Sequence, residues 1–90
     1  MLRLWGKLYK NNKIIQDTVI CNNDTNLPTD KKVDLSLYEI CMLFDLQKPI
    51  WLKDNHKDFK KFRRTSFRRD HFIEEIDFDY LEIEIIEEDK

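Results

Sequence analysis

Glycine is almost absent from this chain, Gly6 being the only one in ninety residues, and proline occurs twice, at Pro28 and Pro49. One glycine cannot build the loops that wrap phosphates, and neither GxGxxG nor GxxxxGK[ST] is present, so the nucleotide-dependent enzymes that rely on those loops are excluded. Cysteine is equally scarce. Cys21 and Cys41 stand twenty positions apart, a spacing that fits neither a dense disulfide framework nor a CxxC redox or zinc pair. Both are read as reduced, with Cys41 an inert core thiol. Histidine is limited to His56 and His71, with no HExxH or CxxC partner, which leaves no metal motif. No metal, cofactor or catalytic constellation is expected, and the chain reads as a non-enzyme. Long apolar runs are missing too. Nothing approaches the roughly 18 residues of a membrane span, and "MLRLWGKLYK" alternates where a signal peptide would be continuously apolar. The expected setting is cytoplasmic, without membrane contact.

What is present makes a folding domain. With 41% hydrophobic residues and 12% aromatics, the chain carries too much apolar side chain to remain disordered. Ninety residues support one core, so positions 1–90 are read as a single domain burying roughly 60–65% of its unfolded surface.

The net charge of −2 conceals an uneven distribution. Residues 53–71 hold eight basic and three acidic groups, whereas 72–90 hold one and nine. The basic segment culminates in "KKFRRTSFRRDHF", residues 60–72.

Hydrophobic periodicity orders the chain. "LRLWGKLY" and "IIQDTVIC" flank "KNNK", and Asn accepts the positive φ of a tight turn, which predicts a β-hairpin with Asn11 and Asn12 at its tip. Regular pairing about that tip sets Leu8 opposite Ile15, Leu4 opposite Val19 and Leu2 opposite Cys21 on the core face. The second face then presents Trp5, Tyr9, Ile14 and Ile20. "NNDTNLPTDKK" reads as a surface loop. Ser36 and Glu39 match a capping box, so a helix is expected to begin there, with Leu37, Ile40, Cys41 and Phe44 as its buried stripe. Pro49 ends it, and Trp51 is expected at the edge of the core. Asp54 is the expected N-cap of a second helix running to about Arg64, with Phe59 and Phe62 inward. In "IDFDYLEIEII" the alternation changes phase, from Ile76, Phe78 and Tyr80 to Leu81, Ile83 and Ile85. A β-bulge near Tyr80 accounts for this. The resulting fold class is α+β, ordered β-β-α-α-β, with a three-stranded antiparallel sheet and two helices on one face.

"LWGKLYKNNKIIQDTVI" together with "FIEEIDFDYLEIEIIEED" resembles a set of short bacterial proteins sharing a W-G-K hairpin opening and an F-D-Y-L-E ending. The resemblance implies a free-standing bacterial protein and attaches no activity, cofactor or binding residue.

Two function classes follow. The first is a non-catalytic interaction or regulatory module whose partner is another protein or a second copy, using Trp5, Tyr9, Ile14 and Ile20. The second is a nucleic-acid-binding module using the basic stretch 57–69, with Lys60, Lys61, Arg63, Arg64, Arg68 and Arg69 on phosphates and Phe67 or His71 offered to unpaired bases. It ranks second because the acidic tail follows immediately, and Glu82, Glu84 and their neighbours are expected to neutralise the arginines within the molecule. Thr65 and Ser66, set among arginines, form a candidate phosphorylation site.

Overall fold

A computed structural model of the chain describes residues 1–88; Asp89 and Lys90, the end of the domain expected over 1–90, lie outside the described residues. Strand β1 (Leu2–Lys10) turns into β2 (Lys13–Asn22), followed by helices α1 (Thr29–Leu43) and α2 (Lys53–Phe62). Strand β3 (Arg64–Phe67) comes next, then a single 3₁₀ turn at Arg69–His71, and β4 (Tyr80–Glu87) closes the described chain. The α+β class is as expected, but the sheet has four antiparallel strands in the order β2-β1-β4-β3, not three.

The added strand is β3, which takes the expected end of the second helix at Arg64 and the three residues after it. Arg63 adopts the left-handed conformation, φ 59°, and its N–H closes onto Phe59 O at 2.9 Å, which stops α2. The four residues that follow alternate, Thr65 and Phe67 inward and Arg64 and Ser66 outward. Four residues among so many cations are too few to print a period-2 signal.

The hairpin tip is where the sequence placed it. Asn11 and Asn12 both have positive φ, 54° and 63°, the geometry of a type I′ turn. The register beyond it is not. A bulge at Ile15, across from Leu8 and Tyr9, shifts all later pairs by one. Leu4 therefore meets Ile20, and Trp5 meets Val19. Ile20 belongs to the core side, against which it is partly buried, and does not join Trp5, Tyr9 and Ile14 on the second face.

Helix α1 begins seven residues before the expected capping box. Ser36 is thus an interior helical residue, fully buried, and its hydroxyl has no hydrogen-bond partner among the described residues. The helix starts after Pro28, whose fixed φ of −69° suits a chain about to turn helical and whose carbonyl accepts the N–H groups of Lys31 and Lys32. Leu37, Ile40 and Cys41 are buried as the stripe requires, while Met42 and Leu43 are exposed.

Gly6 explains itself by close approach. A Cβ there would lie 2.7 Å from Ile40 Cγ2 and 2.9 Å from its Cδ1. The glycine lets α1 settle directly onto β1.

Helix α2 is capped at Leu52, not at Asp54. The Leu52 N–H donates to Asn55 Oδ1 at 2.8 Å, and the Asn55 N–H donates back to Leu52 O at 3.0 Å. Phe59 packs on the core, but Phe62 is 54% exposed. Trp51 does border the core, edge-on to Phe59 and Phe67.

The phase change falls at the start of the last strand, where the Asp79 N–H donates to Tyr9 O at 2.8 Å and Tyr80 pairs with the same residue, so that two residues stand opposite one near Tyr80. Phe72, Ile76 and Phe78 are buried from an irregular stretch, and the strand starts only at Tyr80. Ile76 and Phe78 thus reach the same core as Leu81 and Ile83, while Tyr80 turns to the other face beside Tyr9.

Candidate functional site

The core covers one face of the sheet, through Leu2, Leu4, Leu8, Phe67, Leu81 and Ile83. Arg3, Trp5, Lys7 and Tyr9 of β1 occupy the other face, beside Tyr80, Glu82 and Glu84 of β4. At its centre Lys7 is only 4% exposed. Its ammonium lies 2.7 Å from Glu82 Oε1 and 3.0 Å from Glu84 Oε1, and 3.8 Å from the centre of the Trp5 ring. Burial alone would pull the Lys7 pKa down; hydrogen bonds and charge from the two glutamates outweigh it and hold the pKa above its usual 10.5. The Trp5 indole N–H donates to Asp17 Oδ2 at 3.0 Å, and Tyr9 stacks on Tyr80 at 4.7 Å. Burial, with Tyr9 and Glu82 nearby, raises the Tyr80 phenol pKa against the pull of Arg68.

These contacts change how the charge swing reads. The tail carboxylates Glu82 and Glu84 pair with Lys7, and Glu87 approaches Arg3 at 3.5 Å. Among the described residues, Arg63 alone of the basic stretch reaches a tail carboxylate, at 3.4 Å from Glu88. Lys60, Lys61, Arg64, Arg68 and Arg69 form no ion pair with a carboxylate of the described residues. Among the described residues the expected quenching of the basic stretch is confined to Arg63, while Glu82 and Glu84 pair with Lys7 on the adjoining strand.

The basic residues are also divided among elements. Lys60 and Lys61 end α2, Arg63 caps it, Arg64 opens β3, and Arg68 and Arg69 enter the 3₁₀ turn. Arg64 and Arg68 border a cleft of about 470 Å³ between α2 and β3, which also holds Asp54, Asp58, Asp70 and Glu82. Mixed signs at this density make it a poor anion cradle. Phe67, offered above to bases, is fully buried, and His71 is half-buried with Nδ1 accepting the Arg68 N–H at 2.9 Å. Thr65 is buried and its hydroxyl accepts a hydrogen bond from Asn55 Nδ2 at 2.9 Å, so it is not presented for modification.

His56 stacks on Trp51 at 5.1 Å, and no cluster of metal-ligating side chains occurs among the described residues. Burial pushes the Cys41 thiol up to about 12, with Lys48 opposing and Glu74 reinforcing, which leaves a protonated thiol without nucleophilic character. Cys21 is exposed on β2.

The two edges of the sheet are protected unequally. At β3, four residues long, Asn55 Nδ2 donates to Ser66 O at 3.0 Å and α2 stands alongside. At β2, ten residues long, no described residue pairs with the outer edge. Ile14, Ile15 and Val19 are exposed there. Sequence alternation revealed the strand; only the strand order shows that it is an edge.

No family model, no curated protein and no solved structure matches this chain. No helix among the described residues is long and apolar enough to cross a membrane.

Proposed function

We propose that the chain is a non-catalytic protein-interaction module whose binding element is the outer edge of β2. One observation carries this reading: a ten-residue edge strand with exposed Ile14, Ile15 and Val19 lies opposite a four-residue edge that is short and sealed by Asn55. Folded proteins guard such edges with brevity, proline, charge or a covering element. Between Gln16 and Asn22 the β2 edge has none of these except Asp17, and the Trp5 indole holds that carboxylate. Main-chain hydrogen bonding to an added strand is the recognition this supports. The compartment that goes with it is a bacterial cytosol, on the resemblance of the hairpin and the tail and on two free thiols.

Affinity isolation of the tagged protein from its host, with and without nuclease, tests the reading against a Val19→Lys variant. A nuclease-resistant protein retained by the wild type and lost by the variant supports it. Equal retention by both overturns it.

A second reading, nucleic-acid binding, is favoured by five exposed cations without carboxylate partners among the described residues, Lys60, Lys61, Arg64, Arg68 and Arg69, beside the exposed Phe62 ring. A salt-dependent gel shift with single-stranded oligonucleotides, lost in a variant carrying Gln at Arg68 and Arg69, supports it. Absence of binding at low ionic strength removes it.

A further inference from the structure

We infer that the strand added to β2 is β2 of a second copy of this chain, paired antiparallel about a two-fold axis through Val19. This rests on the reading of β2 as the binding edge and names its partner.

The hydrogen-bonding phase of the sheet identifies which groups are free. Strand residues address their two neighbours alternately. Ile85 N–H donates to Arg63 O at 2.9 Å, so the odd residues of β4 address β3 and Tyr80, Glu82 and Glu84 address β1. Through the observed pairs, Leu4, Gly6 and Leu8 then address β2, where Gln16, Thr18 and Ile20 answer them. The N–H and C=O groups of Asp17, Val19 and Cys21 therefore point to the open edge. Their side chains share the face that carries Trp5 and Lys7.

A two-fold axis through Val19 is the register that satisfies all three residues with each other. Val19 then faces the partner's Val19, and Asp17 faces the partner's Cys21. Moving the axis to Asp17 would oppose two carboxylates, which costs stability. Moving it to Cys21 would carry Asp17 past the end of the partner's strand. The run 16–22 holds one charge, Asp17, already engaged by Trp5. A strongly charged partner would find nothing to pair with there, whereas an identical edge meets it without conflict.

The helix layer agrees with this occupant. Helix α1 lies across β1 and β2. With strands about 4.8 Å apart, two-fold pairing at β2 sets the two α1 axes roughly 10 Å from each other, the separation of packed helices. The product is an eight-stranded sheet in which the long open edges have vanished and only the sealed β3 edges remain.

The test combines mass and amide exchange on the purified full chain. Sedimentation equilibrium is expected to show a reversible dimer of the 11.1 kDa chain in the micromolar range. Val19→Lys and, separately, Cys21→Arg are expected to weaken it at least tenfold with unchanged far-ultraviolet dichroism; the second variant serves if the first does not fold. Amide exchange adds the decisive pattern. On raising the concentration, the Asp17, Val19 and Cys21 amides become protected, while Thr18 and Ile20, already bonded to β1, change little. A strict monomer at several hundred micromolar overturns the second copy as partner, and the Val19→Lys isolation described above then shows independently whether the edge serves a different protein. A dimer in which the three outward amides stay fast overturns the inference as well, placing the contact elsewhere, such as on α1.

Discussion

Asn55 Nδ2 donates to Thr65 Oγ1 at 2.9 Å, and through that side chain α2 holds β3 in place. The same amide reaches Ser66 O at 3.0 Å, while its oxygen accepts the Leu52 N–H at 2.8 Å. A single buried side chain therefore caps a helix, seals a sheet edge and satisfies a strand hydroxyl. Asn55→Ala is expected to cost about 2–4 kcal/mol, more than one hydrogen bond, because several buried groups lose partners together. Urea unfolding measures it. Asn55→Asp keeps the acceptor for the Leu52 N–H but sets a buried carboxylate oxygen against Ser66 O, and is expected to cost at least as much in the same assay.

The contact between Gly6 and Ile40 predicts a coupled pair. Gly6→Ala places a methyl 2.7 Å from Ile40 Cγ2 and is expected to destabilise by about 1–3 kcal/mol. Ile40→Ala removes the obstructing carbons while opening a cavity. In a double-mutant cycle the two changes are expected to be less costly together than the sum of each alone, and additivity would show that the helix moves away instead.

Lys7 makes an alkaline prediction. Its folded pKa is raised above 10.5 by Glu82 and Glu84 acting against burial. The native state therefore holds this proton more tightly than the unfolded chain, so its contribution is complete below 10.5 and lost as pH rises through the folded value. Lys7→Met is expected to flatten that part of the stability–pH curve, followed by chemical denaturation between pH 9 and roughly 11.5. At neutral pH the same variant leaves two carboxylates beside an apolar stem and is expected to lower stability.

The two thiols should separate kinetically. Cys21 is exposed and Cys41 is buried with its thiol pushed up to about 12. A disulfide reagent at pH 8 is expected to modify one thiol quickly and the second only after denaturant is added. Because native Cys41 retains a proton that an unfolded thiol releases near 9.0, it too withdraws stability as pH rises from there toward 12.

Arg63 carries backbone strain that glycine would relieve. At φ 59° a residue with a Cβ is disfavoured by roughly 1–2 kcal/mol, offset in part by the greater freedom of glycine when unfolded. Its ion pair with Glu88 is half-exposed and 3.4 Å long, worth little. Arg63→Gly is expected to raise the thermal midpoint by a few degrees, as measured by calorimetry.

Whatever depends on neighbours along the chain was legible in the order of its residues. The paired asparagines set a positive-φ turn, the i, i+3, i+4 spacing of Leu37, Ile40 and Cys41 marked the buried side of α1, and composition specified one α+β core. The tertiary structure decided what depends on neighbours across the sheet. A bulge at Ile15 moved Ile20 to the core side, and strand order left β2 open while α2 sealed β3. It also sent the tail glutamates to Lys7, 77 positions from Glu84, and left Arg64, Arg68 and Arg69 without a tail carboxylate among the described residues. Periodicity reports the geometry of one strand or helix, but register and ion-pair choice are competitions between distant segments, settled only by which of them the sheet brings within a few ångströms.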